Sequence, residues 1–187
     1  MEKNNSKAQD TTPKTEKLKE EKPKKEFPRD IEYIAIHCSA GNSDLEAVRS
    51  FWKNVLGWKS PGYHLWVDFD GSITEVLPIE KVSNGVGGFN AVTVNICYRG
   101  GVVPVQLGGK KRYVGKDTRT EAQKEGIIKA IKRVKAGLKK KGVDTSKIKI
   151  QGHRDFSPDK NGNGVVDSWE RIKECPSYDC IGIYENL

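Results

Sequence analysis

Several features that are common in proteins are scarce or missing in this chain of 187 residues. It contains no run of about 20 apolar residues, which excludes a membrane-spanning helix. No apolar segment follows the N-terminal methionine, so we expect no secretory signal and a chain that is cytoplasmic at synthesis. Only three histidines and four cysteines are present. Because these residue types are so few, the positions they occupy are informative.

Charge is unevenly distributed along the chain, which carries a net charge of +8. Residues 1–30 are rich in lysine and glutamate and almost free of large apolar side chains. This composition predicts a disordered tail, because such a segment cannot bury enough surface to fold, and a folded domain over residues 31–187. The positive charge fits either an anionic partner or solubility alone. Since it comes from scattered lysines rather than from an arginine–aromatic patch, we do not expect a nucleic-acid partner.

Hydrophobic periodicity predicts a single α/β domain with a central mixed β-sheet flanked by helices. The predicted strands cover residues 31–37, 63–69, 72–77, 92–98 and 147–151, with a tight turn at Asp70-Gly71 and a small hairpin over residues 102–114.

Two segments have the pattern of a capping box, residues 43–46 (SDLE) and 120–123 (TEAQ). The helices that they open should end at Gly57 and Gly142. Apolar spacing predicts which side chains each helix buries. In the first helix these are Leu45, Val48, Trp52 and Val55, and in the second they are Ile127, Ile131, Val134 and Leu138.

Two histidines and one cysteine fall at positions where binding groups concentrate in α/β proteins. His37 ends the first predicted strand, His153 follows the last one, and Cys175 lies in a C-terminal loop just before a proline. Two histidines and one cysteine form the ligand set of a catalytic zinc site, whose fourth position is left for water. The sequence therefore predicts a zinc site.

The remaining cysteines and the third histidine have simpler interpretations. Cys38 and Cys97 are predicted to be small core residues, and Cys180 is predicted to be structural. Although an even number of cysteines permits disulfides, metal ligation or buried thiols are favoured in a chain without an export signal. His64 follows Tyr63 on a strand and should face away from it, so we interpret His64 as structural.

Five short stretches occur in an order and spacing that are specific as a set. They are residues 34–39 (IAIHCS), 62–64 (GYH), 94–101 (VNICYRGG), 152–155 (GHRD) and 173–176 (KECP). With this set the chain resembles the zinc-dependent N-acetylmuramoyl-L-alanine amidases of the type-2 family, especially the short phage endolysins. The resemblance covers residues 31–180 and leaves out the N-terminal tail.

The resemblance implies a role for each matching residue. His37, His153 and Cys175 match the zinc ligands, Tyr63 matches the tyrosine that assists the zinc-activated water, and Lys173 matches the lysine that stabilises the developing oxyanion. The substrate would be peptidoglycan, cut at the amide bond between N-acetylmuramic acid and L-alanine of the stem peptide. We expect a monomer that acts on the cell wall, as an endolysin freed by a holin to cause cytolysis or as a bacterial enzyme of wall recycling.

One segment departs from the family pattern. Many members carry a histidine near the substrate in the loop that corresponds to residues 83–88, which here read SNGVGG. The alternative function is therefore a non-catalytic module that binds peptidoglycan, since peptidoglycan-recognition proteins share the fold. Members that only bind often lack the ligand cysteine, so the presence of Cys175 favours the enzyme.

Residues 159–170 (DKNGNGVVDSWE) match the pattern of an EF-hand calcium loop. The side-chain ligands would be Asp159, Asn161, Asn163, Asp167 and Glu170, with the backbone carbonyl of Val165. The sequence thus predicts a possible Ca²⁺ site, and the alternative is an Asn-Gly-rich surface turn without an ion. A calcium sensor or nucleic-acid-binding protein built on this loop would leave His37, His153 and Lys173 unexplained.

Overall fold

The computed structural model describes residues 27–187, so most of the predicted tail lies outside the described residues. Folded contacts begin before residue 31. The side chain of Phe27 is only 3% exposed and belongs to the hydrophobic core. Arg29 donates hydrogen bonds to five backbone carbonyls of residues 79–93. Because Phe27 and Arg29 are buried, the folded part begins at least four residues before residue 31, the start that composition predicts.

The core of the fold is a five-stranded mixed sheet, which confirms the predicted α/β class. The strands of the chain are β1 (Tyr33–Cys38), β2 (Leu65–Val67), β3 (Ile73–Glu75), β4 (Thr93–Tyr98), β5 (Val102–Leu107), β6 (Lys110–Gly115) and β7 (Lys149–Gly152). The sheet has the order β3-β2-β4-β1-β7. Strand β1 lies parallel to both β4 and β7, and β2 lies parallel to β4. Only β3 is antiparallel, because the Asp70-Gly71 turn folds it back on β2.

Strands β5 and β6 form a separate antiparallel hairpin. Gly108 and Gly109 join them, with φ angles of 58° and 72°. Two consecutive positive φ angles suit the twist of a two-residue hairpin turn, and glycine adopts them without strain. The predicted hairpin is therefore confirmed.

The first helix, α1 (Leu45–Asn54), differs from the prediction in two respects. Asp44, not Ser43, is the N-cap, and its carboxylate accepts a hydrogen bond from the Ala47 N–H. Of the four predicted core residues only Trp52 is buried, and Val55 is 67% exposed. The prediction for Val55 was wrong because the helix ends at Asn54, so the spacing that places Val55 on the apolar face no longer applies.

The second helix, α2 (Glu121–Lys140), follows the prediction closely. Thr120 and Gln123 make both hydrogen bonds of the capping box. The predicted stripe of Ile127, Ile131, Val134 and Leu138 is buried. The helix packs this stripe on β2 and β4 and ends before Gly142, whose φ is 75°. In the described part of the chain, no helix combines the length and apolar character that a membrane crossing requires.

Two glycines in α2 test this packing, since they meet different surroundings. A Cβ atom at Gly126 would lie 2.7 Å from both the Gly71 carbonyl oxygen and the Val67 side chain. A Cβ atom at Gly137 would lie 3.4 Å from Ile79, an ordinary contact. We expect Gly126→Ala to lower the free energy of unfolding by about 1–3 kcal/mol through overpacking. Gly137→Ala should raise it by about 0.5–1 kcal/mol, because alanine is the better helix former.

Urea denaturation of both variants measures the two effects. Both variants replace glycine by alanine in the same helix, so the gain in helix propensity is similar. The difference between their free energies of unfolding therefore reports the close contact at Gly126. A Gly126→Ala protein that is as stable as Gly137→Ala would contradict the close packing of α2 on the β2–β3 turn.

Candidate metal centre

Parallel pairing places two histidines at the same edge of the sheet. His37 is the fifth of six residues in β1, and His153 directly follows β7. Since β1 and β7 are neighbours and parallel, their carboxyl ends lie side by side. The centroids of the two imidazole rings are 4.7 Å apart.

The C-terminal segment adds a sulfur ligand at this edge. The Arg154 N–H donates to the Cys175 carbonyl at 2.7 Å, and the Tyr98 hydroxyl donates to the Pro176 carbonyl at 2.7 Å. A Cβ atom at Gly152 would lie 2.5 Å from the Pro176 ring, so only glycine permits this approach. These contacts hold the Cys175 sulfur against β1, where the Cys38 N–H points at it from 3.2 Å.

The structure brings the three predicted zinc ligands together. Ligand atoms of His37, His153 and Cys175 all lie within 4.8 Å of one another. The Nδ1 atom of His37 lies 3.7 Å from the Cys175 sulfur. Two imidazole nitrogens and one sulfur at such distances can serve as the three protein ligands of a four-coordinate catalytic zinc ion, whose fourth ligand is water.

The surroundings of the three side chains set their protonation. Burial, and then the nearby His153, lower the pKa of His37 to about 3. Burial, and then Lys173, lower the pKa of His153 to about 4. Burial and the neighbouring Cys38 raise the pKa of the Cys175 thiol well above its usual value. Both imidazoles are therefore neutral at pH 7, with a lone pair available. A divalent cation would offset the cost of an ionised thiol, so the donor set fits zinc.

Tyr63 lies against this group, in the segment just before β2. Its ring centroid is 5.1 Å from that of His37 and 5.2 Å from that of Trp52. Burial raises the pKa of the Tyr63 phenol well above its usual value. The phenol therefore keeps its proton at neutral pH, and the sulfurs of Cys97 and Cys175 are among its neighbours.

Lys173 lies on the solvent side of the centre. It lines a cavity of about 210 Å³ together with His153, Phe156, Val86 and Gly87. Val86 and Gly87 belong to the loop over residues 83–88, so the segment without the family's histidine does border the site. Ser157 and Ile172 complete the lining of this cavity.

The loop over residues 159–170 does not form a comparable group. Asp159 accepts the N–H groups of Gly162 and Gly164, and the buried Glu170 accepts those of Lys160, Asn161 and Asp167. Asn161 and Asn163 donate their amide hydrogens to Asp167 at 2.8 and 3.0 Å. Within the described residues, the three carboxylates do not converge as the zinc ligands do. Calcium binding, with Val165 as a backbone ligand, stays a prediction without structural support.

Sequence reasoning missed one polar residue at the centre. Asn95 lies on β4, and its Oδ1 atom is 2.8 Å from the Nε2 atom of His37. The available signal was an amide side chain inside the otherwise apolar strand 94–98. The remaining predictions for these residue types hold: Cys38, Cys97, Cys180 and His64 are all buried.

Comparison with solved structures shows the same fold in an amidase and in a PGRP protein. One is an N-acetylmuramoyl-L-alanine amidase, LysC from Clostridium intestinale, with 19% identity, a TM-score of 0.53 and coverage of 82% of this chain and 80% of that one. Another is wild-type PGRP-LB from Drosophila, with 22% identity, a TM-score of 0.52 and coverage of 80% and 76%. At these identities the likeness shows the fold alone.

Sequence comparison is more specific. A protein of Haemophilus influenzae described as uncharacterized is 34% identical over 110 residues, which are 59% of this chain and 83% of that protein. The family model for N-acetylmuramoyl-L-alanine amidase matches residues 27–177, from the first described residue to just beyond Cys175. The chain therefore belongs to the N-acetylmuramoyl-L-alanine amidase family.

Proposed function

We propose that this protein is a zinc-dependent peptidoglycan hydrolase that cleaves the amide bond between N-acetylmuramic acid and L-alanine of the stem peptide. The observation that carries the proposal is the convergence of His37, His153 and Cys175 within 4.8 Å, beside Tyr63 and Lys173. Membership in the amidase family supports the reaction, and the cavity that Lys173 lines reaches His153 of this group.

The protein's own residues have distinct tasks in this reaction. His37, His153 and Cys175 would hold zinc, which supplies a Lewis acid that polarises the carbonyl and lowers the pKa of water to about 7. The Tyr63 phenol, protonated at neutral pH, orients the attacking water by hydrogen bonding. The Lys173 ammonium stabilises the negative charge that develops on the amide oxygen. Both groups act where charge changes during the reaction rather than in metal binding.

The leading alternative is a module that binds peptidoglycan without cutting it. PGRP-LCa and PGRP-LCx from one solved complex, which bind tracheal cytotoxin, have the same fold, with a TM-score of 0.55. The complete donor set and the nearby Tyr63 and Lys173 favour the enzyme, since a binding module needs none of them. As an endolysin the protein would reach the wall after holin-mediated release, whereas a recycling enzyme would meet its substrate in the cytoplasm.

Digestion of purified peptidoglycan tests the proposal, with soluble products identified by mass spectrometry. We expect stem peptides with a new L-alanine amino terminus, lost on chelation and restored by zinc. Cys175→Ser should lose zinc and activity together. Lys173→Ala should keep zinc and lose at least about tenfold in turnover, because one transition-state charge contact is removed.

The two variants are controls for each other, since one removes a ligand and the other only a cation beside it. Tight binding of peptidoglycan by the zinc-loaded protein, with no products, would overturn the enzyme and favour the binding module. Full activity of a Cys175→Ser protein that contains no zinc would exclude the metal mechanism.

Proton release on zinc binding tests the protonation of the ligands. At pH 6 the lowered pKa values of about 3 and about 4 keep His37 and His153 neutral, whereas the Cys175 thiol is protonated. Binding should therefore release about one proton, from the thiol. Histidines of ordinary pKa would bring the release to between about two and three protons. Calorimetric titration in buffers of different ionisation enthalpy measures this number.

We also keep the calcium prediction for residues 159–170 as a proposal to be tested. If the loop binds calcium, millimolar calcium should raise the melting temperature and protect the loop from proteolysis, and Asp159→Ala should abolish both effects. Unchanged melting and cleavage in the wild-type protein would identify the segment as a surface turn without an ion.

A further inference from the structure

The His37 ring uses its two nitrogens for different purposes. Nδ1 faces the sulfur of Cys175 at 3.7 Å, and Nε2 faces the Oδ1 atom of Asn95 at 2.8 Å. His37 is 1% exposed and Asn95 is fully buried, so water does not compete for this hydrogen bond. Which nitrogen of His37 carries the proton depends on which end of the Asn95 amide faces it.

A backbone group fixes the start of this hydrogen-bond network. The main-chain N–H of Asn95 points at the Nδ1 atom of His64 at 2.9 Å. Because a backbone N–H can only donate, Nδ1 of His64 must be the acceptor and carries no hydrogen. Its Nε2 atom then carries the proton and donates to the Lys81 carbonyl at 2.9 Å, the shorter of its two contacts. The other contact is with Nη1 of Arg29 at 3.3 Å, and this guanidinium donates to the same Lys81 carbonyl. His64, which is neutral because burial lowers its pKa to about 4, is thus held in one tautomer.

Ser83 passes this orientation on to Asn95. Its hydroxyl oxygen lies 3.2 Å from Nδ1 of His64, which carries no hydrogen, so the Ser83 O–H is the donor and shares the Nδ1 lone pair with the Asn95 N–H at 2.9 Å. The oxygen can then accept from the Nδ2 atom of Asn95, which lies 2.8 Å away. The amide nitrogen of Asn95 therefore faces Ser83, and its oxygen faces His37.

The orientation of Asn95 determines the tautomer of His37. An amide oxygen only accepts hydrogen bonds, so Nε2 of His37 must carry the proton. The lone pair is then on Nδ1, the nitrogen that faces Cys175. The chain of hydrogen bonds from the Lys81 carbonyl to His37 therefore leaves the lone pair of Nδ1 free to bind a metal ion.

We propose that Asn95 is a positioning residue that fixes the ring orientation and tautomer of His37 for metal binding, with Ser83 fixing Asn95. This inference rests on the zinc site of the proposed function. It also gives a structural role to the loop over residues 83–88, whose first residue points inward to Asn95 and His64.

Close packing holds the Asn95 amide in place. A Cβ atom at Gly85 would lie 2.3 Å from the Cγ atom of Asn95, so the backbone of the loop rests directly on the amide. Ala35 of β1 is its register partner on the neighbouring strand. The loop backbone therefore limits movement of the amide on the side of Gly85.

Zinc affinity of three variants tests the proposal. Asn95→Leu has a similar shape but accepts no hydrogen bond, and it should weaken zinc binding about 10–100-fold, as loss of an outer-shell partner of a metal histidine usually does. Asn95→Asp keeps the acceptor and should stay within about threefold of wild type, since carboxylates serve the same purpose in zinc proteins. Chelator competition measures the affinities.

Thr93→Val is the matched control. Thr93 lies on the same strand and is fully buried, and its hydroxyl has no hydrogen-bond partner in the described structure. The substitution changes a buried polar side chain on β4 without touching His37, so zinc affinity should not change.

The tautomer of His37 in the metal-free protein is a second measurement. It should not change if Asn95 only stabilises the fold. Long-range ¹H–¹⁵N NMR should show the Nε2–H form in the wild type, in Asn95→Asp and in Thr93→Val. It should show a mixture in Asn95→Leu. Wild-type zinc affinity and an unchanged tautomer in Asn95→Leu would overturn the proposal.

Two further outcomes are decided by the same measurements. If Asn95→Leu does not fold, Ser83→Ala takes its place, and it should weaken zinc binding and mix the tautomers because the amide can then turn over. The proposal would be overturned if a folded Ser83→Ala keeps the zinc affinity and tautomer of the wild type while Asn95→Asp binds zinc more weakly. If the wild type binds no zinc, the proposed function fails, and a single Nε2–H tautomer that is lost in the variants would still support the role of Asn95.

Discussion

The metal centre depends on the burial of one imidazole at the end of the central strand β1. His37 is held between β4 and the C-terminal segment, and each ring nitrogen has a defined neighbour. Parallel pairing with β7 brings His153 beside it, and the contact of the Cys175 segment with β1 supplies the sulfur. Without a fixed His37, neither of the other two groups would face a common point.

Burial has opposite consequences for the two kinds of ligand. It keeps both histidines neutral and therefore ready to bind a cation, but it makes the thiolate of Cys175 costly to form. A bound divalent ion reverses that cost, since its charge stabilises the ionised sulfur. The chemistry of the three side chains therefore fits a divalent cation.

The fold by itself does not decide between cutting and binding. The solved structures that share it include enzymes and proteins named for peptidoglycan recognition. Function lies in the residues placed on the fold, here a complete ligand set with a phenol and an ammonium nearby. Val86 and Gly87 mark the side on which the loop over residues 83–88 borders this group.

Much of this arrangement could be predicted from the sequence, because rare residue types at strand ends carry strong information. This reasoning identified His37, His153 and Cys175. It also identified the capping residues Thr120 and Gln123 of α2 and the buried stripe of that helix. Asn95 stood out as an amide in an apolar strand, but its contact with His37 could not be predicted, since that contact depends on the register of β1 against β4. The burial of Val55 was wrongly predicted because periodicity does not fix the last turn of a helix, and Phe27 was missed because a single aromatic residue beside a charged tail gives no period.

Zinc X-ray absorption on the reconstituted protein would show whether one sulfur and two imidazoles bind the metal. We expect one sulfur at about 2.3 Å and two imidazole nitrogens at about 2.0–2.1 Å, with one further light atom in the fourth position. Two sulfur neighbours would place Cys38 in the coordination shell as well, and a shell without sulfur would remove Cys175 from it. Either result would exclude a site of two histidines and one cysteine.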